Sequence, residues 1–178
     1  MEIIWKYDDG PALISPKVFE DERGYFYESF NEKEFKEKVA DVDFVQDNQS
    51  KSSYGVLRGM HSQTGEYAQA KLVRVVKGAV VDVIVDARED SPEYGKVYYA
   101  YLSEENHRQL YVPRGFLHGF LTLRDGTVFQ YKCDNYYNKK SECAFNYKSI
   151  DFAWNEYIDP QIIKVSDKDA KNPDFNYN

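Results

Sequence analysis

A histidine, two arginines and a lysine stand among small and apolar residues between residues 55 and 78. The run reads GVLRGMHSQTGEYAQAKLVRVVKG, and the four are Arg58, His61, Lys71 and Arg74. Two strands of a β-barrel that carry polar groups inward would produce this pattern. Buried polar groups must be hydrogen-bonded or hold a ligand, because an unpaired one is costly. The stretch is therefore the first place to expect a site, and a histidine satisfied within the core is the simpler alternative.

The spacing of Gly55, His61 and Gly78 resembles the first motif of the cupins, a large group of β-barrel proteins. That motif places a second histidine and a glutamate, both metal ligands, where this chain has Gln63 and Lys71. A metal site of this kind needs neutral imidazoles and a carboxylate, and a lysine would repel the metal. We therefore expect a metal-free site, in which Lys71 could stabilise an oxyanion or an enolate.

Length, composition and charge restrict the class of protein. The chain has 178 residues, 16% of them aromatic, and a net charge of −7. The length suits one domain, aromatic residues favour strands, and the negative charge argues against nucleic-acid binding. A phosphorylated small ligand needs only a local group of cations. The chain contains no apolar run of the roughly 20 residues that span a membrane, and its start lacks a signal-peptide layout, so we expect a cytoplasmic protein.

Short strand patterns recur along the chain, with turn residues between them. The predicted strands cover residues 12–19, 25–30, 44–48, 55–61, 70–76, 79–86, 97–102, 109–112, 117–123 and 128–133. One helix is predicted at 32–39, where Asn31 and Glu34 have the spacing of a capping box. Residues 1–11 are expected to be a loose start, Pro16 marks 12–19 as an edge strand, and residues 159–178 are expected to wrap the outside. Many short strands with little helix predict an antiparallel sandwich or barrel.

A second cupin motif, Pro-x-Gly-x-x-His, is matched at residues 113–118 and ends on His118. The only cysteines, Cys133 and Cys143, fit no zinc pattern. We expect both to be packing residues without a disulfide.

The chain resembles the dTDP-4-dehydrorhamnose 3,5-epimerases, which are nucleotide-sugar epimerases of the cupin type. Six blocks carry the resemblance in the family's order: residues 19–30, 44–52, 55–61, 67–73, 109–120 and 131–138. It implies an all-β fold, a cupin-type double-stranded β-helix (jelly-roll) barrel with a few short helices, in one domain that spans residues 1–178. It also implies an isomerase that needs no cofactor.

The resemblance implies roles for individual residues. His61 resembles the catalytic base, and Asp169 resembles the carboxylate that orients it, with Asp167 as the alternative partner. Tyr131 resembles the acid on the opposite face of the sugar, and Lys71 the cation beside the enolate.

Further residues resemble those that bind the substrate. Arg58 and His118 correspond to pocket-lining residues. The positions that resemble nucleotide-binding residues are Phe19, Arg23, Glu28, Gln46, Asn48 and Tyr136. In the family some of that set reaches the site from the partner subunit, which implies a homodimer.

The implied chemistry agrees with these residue types. A 4-keto sugar has acidic protons at C3 and C5, and epimerisation needs a base on one face, an acid on the other and a group that stabilises the enolate. A His–Asp pair supplies a base that works near neutral pH, and Lys71 favours the O4 anion.

The chain departs from the family beside the base. Ser62 follows His61 where an aromatic residue is common, and Thr64, Gly65 and Glu66 replace a proline-containing turn. This departure leaves two other functions open. One is a 3-epimerase, or an epimerase of another nucleotide-linked 4-keto sugar, and the other is a non-catalytic protein that binds a sugar nucleotide.

Simpler interpretations of single residues also stay open. Tyr131 could be a core aromatic, Lys71 could extend to the barrel rim, and Arg23 and Glu28 could form an ordinary ion pair.

Residues 81–86 alternate acidic and apolar residues as a strand does. We expect Asp86 to face solvent, while Asp82 could do the same or pair with Lys71.

Overall fold

The computed structural model describes residues 1–177, and these residues form mainly β-strands. The strands are β1 (Glu2–Lys6), β2 (Ala12–Ser15), β3 (Phe19–Asp21), β4 (Gly24–Phe26), β5 (Gln46–Ser52), β6 (Leu57–Gln63), β7 (Lys71–Lys77), β8 (Ala79–Asp86), β9 (Val97–Ser103), β10 (Gln109–Val112), β11 (Phe116–Thr122), β12 (Thr127–Cys133) and β13 (Glu142–Ala144). One α-helix, α1 (Glu32–Lys38), and several short 3₁₀ turns accompany them.

The strands form two main sheets, which pack face to face. The six-stranded sheet has the order β1-β2-β10-β7-β12-β5, and the five-stranded sheet has the order β13-β6-β11-β8-β9. Strands β3 and β4 form a separate hairpin. Neighbouring strands run antiparallel. The all-β cupin-type jelly roll expected from the sequence is therefore confirmed.

Alternation along the strands divides the apolar residues between an inner and an outer core. On β8, Val80 and Ile84 belong to the core between the two sheets, with Val73 and Phe129 of the opposite sheet. Successive side chains of a strand point to opposite faces. The outer face of β8 packs under the C-terminal segment in a second core that contains Trp154.

The single α-helix covers the outer face of the six-stranded sheet. The side chain of Asn31 accepts a hydrogen bond from the backbone N–H of Glu34 at 3.1 Å, which caps the first turn as predicted. Phe35 is fully buried and packs edge-on against Phe44 and Tyr111. Burial of the helix face that carries Phe35 stabilises α1, which is too short to be stable alone.

Several predictions about the first part of the chain are wrong. Residues 1–11 are not loose, because β1 pairs with β2 over Glu2–Ser15 and Lys6–Ala12. Strand β2 lies between β1 and β10 and is not an edge strand. Pro16 comes directly after its last residue, so it ends the strand without removing a ladder hydrogen bond.

Strand boundaries also shift elsewhere. The strand predicted over 25–30 covers only Gly24–Phe26, and the one predicted over 44–48 runs over Gln46–Ser52. Strand β13 has no counterpart among the predicted strands, because its three residues carry no alternating pattern of their own. Of the helices in residues 1–177, none combines the length and apolar character needed to cross a membrane.

Candidate active site

Four polar side chains point into the barrel because each alternates with residues of the inner core. Lys71 on β7 lies two residues before Val73, which belongs to that core. Tyr131 follows Phe129 on β12, Asp82 lies between Val80 and Ile84 on β8, and His118 lies between Phe116 and Phe120 on β11. Since residues two apart on a strand share a face, these groups meet inside the sandwich.

The inner side chains line a cavity of about 540 Å³. Its lining includes six residues that the sequence predicted as site residues: Arg58, His61, Lys71, His118, Tyr131 and Asp169. The cavity is large enough for a sugar and part of a nucleotide. The structure thus brings together every residue predicted to act on the sugar ring.

His61 and Asp169 form a hydrogen-bonded pair, although 108 positions separate them in the chain. The His61 Nε2 to Asp169 Oδ1 distance is 2.6 Å. Asp169 is buried, and Ser166 holds the turn that carries it, because the Ser166 hydroxyl accepts from the Asp169 N–H at 3.0 Å. Asp167 is exposed. The carboxylate that pairs with His61 is therefore Asp169 and not Asp167.

Lys71 faces the cavity without a carboxylate within ion-pair distance among residues 1–177. Burial lowers the pKa of its ammonium group, against the opposing effect of Cys133 and Asp82 nearby. Its Nζ lies 5.9 Å from the centre of the Tyr131 ring. An unpaired ammonium in this place is suited to an anion that forms in the cavity.

Tyr131 comes from the sheet opposite His61. His61 lies on β6 of the five-stranded sheet, while Tyr131 lies on β12 of the six-stranded sheet, and both line the cavity. Burial raises the pKa of the Tyr131 hydroxyl, so this group keeps its proton across the neutral range. A base and a protonated phenol therefore face each other across the cavity.

A register shift places both Arg58 and His61 on the cavity side of β6. Arg58 pairs with Phe120 and His61 with His118, and the pairing is irregular between them. An extra residue in one strand lets side chains three apart share a face. Gly59 lies in this irregular segment with φ +133°, and a Cβ there would lie 2.5 Å from the Gly119 Cα, so only glycine fits.

His118 is hydrogen-bonded to Asp82 in the same cavity. The His118 Nε2 to Asp82 Oδ2 distance is 2.9 Å, and Asp82 is fully buried. Asp82 thus pairs with the histidine and not with Lys71. Asp86, expected to face solvent, is also fully buried and accepts hydrogen bonds from Arg88 and Ser91. That expectation is wrong because the turn after β8 folds back over the strand end.

The predicted nucleotide-binding residues divide into two groups. Gln46 and Asn48 line a neighbouring cavity of about 400 Å³ that shares His61, Lys71 and Tyr131 with the first. The Gln46 amide donates to the Asn48 side-chain oxygen at 3.1 Å. These two residues therefore lie beside the candidate site.

The other four do not line either cavity. Phe19 and Tyr136 are exposed by 53% and 63%. Arg23 is on the β3–β4 hairpin and pairs with Asp21 at 2.5 Å, so the suggested Arg23–Glu28 ion pair is absent from the described part of the chain. Glu28 accepts a hydrogen bond from Asn31 instead. Phe19 and Glu28 line a different cavity, and Tyr136 directly precedes Tyr137, which lines the neighbouring one.

Some residues around the cavity escaped the sequence analysis. Lys164 and Lys168 line it from the C-terminal segment, and Phe120 and Phe129 from the inner core. Both lysines precede Asp169 in the same segment, and that proximity was a usable signal once Asp169 was selected. Cys133 is buried and Cys143 partly buried, and both are free thiols. In residues 1–177, no group of three or more His, Cys, Asp or Glu residues is arranged to hold a metal ion.

Comparisons with known proteins identify the family. Residues 9–177 match the family model described as dTDP-4-dehydrorhamnose 3,5-epimerase. A dTDP-4-dehydrorhamnose 3,5-epimerase of Shigella flexneri is 51% identical over 166 residues, which are 92% of this chain and 90% of that protein.

Two solved structures are similar along nearly the whole chain. The dTDP-4-dehydrorhamnose 3,5-epimerase of Elizabethkingia anophelis NUHP1 has a TM-score of 0.90 and 50% identity, and the match covers 98% of this chain and 96% of that one. A dTDP-6-deoxy-D-glucose-3,5-epimerase of Legionella pneumophila Philadelphia 1, solved with dTDP-4-keto-L-rhamnose, has a TM-score of 0.90 and 39% identity, with 99% of each chain covered. The chain described here belongs to the dTDP-4-dehydrorhamnose 3,5-epimerase family.

Proposed function

We propose that the protein epimerises C3 and C5 of dTDP-4-dehydro-6-deoxy-D-glucose and yields dTDP-4-dehydro-L-rhamnose. One observation carries the proposal: a histidine with a carboxylate partner faces a protonated phenol from the opposite sheet, and an unpaired lysine lies beside them. These are the groups that exchange of a proton next to a ketone requires. The family membership supplies the substrate class.

Each epimerisation is a proton abstraction followed by protonation from the other face. His61 takes the proton from C3 or C5, and the C–H electron pair moves into the ring to give an enolate with its charge on O4. Lys71 stabilises that charge. Tyr131 then gives its proton to the same carbon from the opposite side, and solvent exchange restores His61 and Tyr131. No cofactor takes part in this scheme.

The Asp169 carboxylate makes His61 a better base. It fixes the ring orientation and stabilises the imidazolium that forms when the proton is taken. The short contact at 2.6 Å is in the range of charge-assisted hydrogen bonds. The pair therefore favours abstraction at neutral pH.

The alternative function, epimerisation at C3 alone, is worth testing because of Ser62. Ser62 lies next to the base and lines the neighbouring cavity together with His61 and Tyr131. The small side chain of Ser62 leaves room beside the base, whereas an aromatic side chain there would restrict the position of the sugar ring. The number of carbons that exchange decides between the two reactions.

The proposal includes a homodimer in the cytoplasm, with Phe19, Arg23 and Glu28 acting in the partner's site. The hairpin that carries Phe19 and Arg23 exposes Tyr25 and Phe26 by 58% and 67%. These residues lie apart from the cavity of their own chain, which supports a role across an interface. Exposed aromatic side chains in a group are typical of such surfaces.

Mixing two inactive variants tests the shared site. Arg23→Glu lacks the proposed partner contact, and His61→Asn lacks the base. If Arg23 acts across the interface, a mixed dimer contains one intact site, and mixing restores part of the activity. If Arg23 acts within its own chain, no mixed dimer has an intact site and mixing restores nothing. Sedimentation measures the oligomeric state independently.

Deuterium wash-in tests the reaction itself. The protein is incubated with dTDP-4-keto-6-deoxyglucose in heavy water, and the product is analysed by mass spectrometry and NMR. We expect deuterium at both C3 and C5. Label at C3 alone would establish the single epimerisation, and binding of the sugar nucleotide without label would establish a binding protein. His61→Asn is the matched control, which should lose all exchange while dTDP binding is largely kept.

A further inference from the structure

The β3–β4 hairpin and the two residues after it form an arm, residues 19–28, that belongs to neither main sheet. In residues 1–177 the arm has no strand partner outside itself. The proposed function assigns Phe19, Arg23 and Glu28 of this arm to the partner's site. Because no ladder of backbone hydrogen bonds joins the arm to its own chain, other contacts must hold those residues in place.

A histidine outside the candidate site contacts the arm. The His107 ring lies 4.7 Å from the Tyr25 ring and 5.0 Å from the Tyr27 ring, measured between ring centres. The two tyrosine rings also stack on each other at 5.8 Å. Aromatic rings at such distances attract each other beyond what burial of their surface contributes. The three rings thus join the arm to the turn between β9 and β10.

That turn holds His107 in a conformation that few residues adopt. The φ angle of His107 is +53°, in the left-handed region that favours glycine. The side-chain oxygen of Asn106 accepts from the backbone N–H groups of Ser103 and Arg108 at 3.1 and 3.0 Å, which fixes the turn. Residues kept in such a conformation cluster where function needs them. In this turn the conformation places the imidazole against the arm.

Hydrogen bonds join the base of the arm to the six-stranded sheet. Arg74 Nη1 donates to the Tyr27 hydroxyl at 3.1 Å, and Arg74 Nη2 donates to the Gln130 side-chain oxygen at 2.7 Å. Directly after the arm, Gln109 Nε2 donates to the Ser29 carbonyl at 2.8 Å. Arg74 lines neither cavity of the candidate site. This polar residue of the 55–78 run therefore contacts the arm instead of the sugar pocket.

The two faces of the arm differ in what they contact. Successive residues of a strand point to opposite faces, so Phe26 lies on the face away from Tyr25 and Tyr27. Phe19 pairs directly with Phe26 and shares its face. Both phenylalanines are exposed. One face of the arm is therefore held by its own chain, and the other face presents apolar rings to the outside.

We propose that His107 is a positioning residue for the partner's substrate site, because its ring holds the arm in the orientation in which Phe19 and Arg23 reach that site. This inference rests on the proposed function, since it requires a shared site. His107 itself touches no reacting atom in this scheme. Loss of its ring should leave the chemistry intact and lower the fraction of arms in the binding orientation, which weakens the apparent affinity for the nucleotide.

The first test compares His107→Gly with the wild type. Glycine adopts a positive φ without strain, so the turn should keep its shape while the ring is lost. The KM for dTDP-4-keto-6-deoxyglucose and the Kd for dTDP should both rise by about 3- to 10-fold, for the loss of two aromatic contacts. The kcat should stay close to the wild-type value, because the variant loses binding shared by the ground state and the transition state. A lower kcat at unchanged KM would overturn the inference.

Variants of the arm test the other side of the contact. Tyr25→Phe keeps the ring and should retain the wild-type KM, whereas Tyr25→Ser should raise KM as His107→Gly does. If both residues act through one contact, the double variant loses little more than either single variant. Losses that multiply would refute the shared contact. Tyr99→Ser is the matched control, because Tyr99 is similarly exposed and packs on Phe152 with ring centres 5.3 Å apart. Its loss should not change KM.

A mixed dimer tests whether His107 acts on the partner. Co-expression of His107→Gly and His61→Asn with two different affinity tags allows the mixed dimer to be purified. Its one active site contains the base of the His107→Gly chain and the arm of the His61→Asn chain, in which His107 is intact. The KM of the mixed dimer should therefore return to the wild-type value. A KM that stays raised would place the effect of His107 within its own chain and refute the inference.

These tests separate the inference from the proposed function. A wild-type protein without any exchange at C3 or C5 would refute the proposed reaction, and calorimetry of dTDP binding to His107→Gly would still test the arm. Normal exchange in a dimeric wild type, together with unchanged KM and dTDP affinity in His107→Gly, would refute the inference alone.

Discussion

Replacing Asp169 by Asn tests the contact on which the base depends. The substitution keeps the size of the side chain but removes its charge, and the amide cannot stabilise the imidazolium of His61. A hydrogen bond to a charged group contributes about 1.5–3 kcal/mol. At 1.36 kcal/mol for each tenfold change in rate, this corresponds to a loss of roughly 10- to 150-fold in kcat.

The exposure of the pair narrows that range. Asp169 is only 7% exposed, but 41% of the His61 side chain is exposed. Water near the imidazole weakens the interaction, so we expect the lower part of the range, on the order of 10- to 50-fold. The stability of the fold should change little, since His61 keeps a neutral hydrogen-bond partner.

The assay is deuterium wash-in at C3 and C5 under single-turnover conditions, together with calorimetry of dTDP binding. Exchange should slow at both carbons by the same factor, while dTDP affinity stays close to that of the wild type. Asp167→Asn is the control, because Asp167 is exposed two positions earlier in the same segment. Wild-type exchange in Asp169→Asn, or an equal loss in both variants, would refute the role given to the pair.

Three further outcomes are expected. Tyr131→Phe should slow or redirect protonation while C–H exchange continues, and a joint loss of exchange and epimerisation would show that Tyr131 does more than donate the proton. Burial raises the pKa of Tyr111 to about 12 from its usual 10. The native state therefore keeps this proton longer than the unfolded chain, and the stability it contributes is complete below pH 10 and lost as the pH rises towards 12. Urea unfolding at several alkaline pH values should show this loss in the wild type and a smaller one in Tyr111→Phe. A thiol reagent should label Cys143 first in the native protein, because Cys133 is fully buried, and faster labelling of Cys133 would contradict the packing of β12.

Much of the fold could be predicted because local patterns and tertiary structure agree. The capping-box spacing located α1, and runs of alternating or apolar residues located most strands of both sheets. The misses lie where local signals are weak or depend on partners. Strand β1 forms because β2 offers it an edge, and β13 forms because β6 does. The residues of the added strand alone carry no sequence signal that predicts either pairing.

The candidate site could be predicted in part for a similar reason. His61, Lys71 and His118 have spacings that match cupin motifs, and Tyr131 and Asp169 lie in blocks that resemble the family. The orientation of Asp82 stayed undecided, because an acidic residue in an alternating strand is equally compatible with a solvent-facing position. Its burial depends on which face of β8 meets the opposite sheet, and a periodicity of two does not say which face that is.

By itself the sequence determined the class of fold and the membership in a family, and it predicted the residues that act on the sugar ring. These follow from residue types, spacings and periodicity, which are properties of the chain. The tertiary structure decided which groups pair where the sequence left alternatives open. It brings Asp169 to His61 across 108 positions, joins Asp82 to His118 on neighbouring strands, and leaves Arg23 apart from the cavity of its own chain. The physical reason is that a contact between distant residues depends on how sheets pack and register, and local sequence carries no record of that geometry.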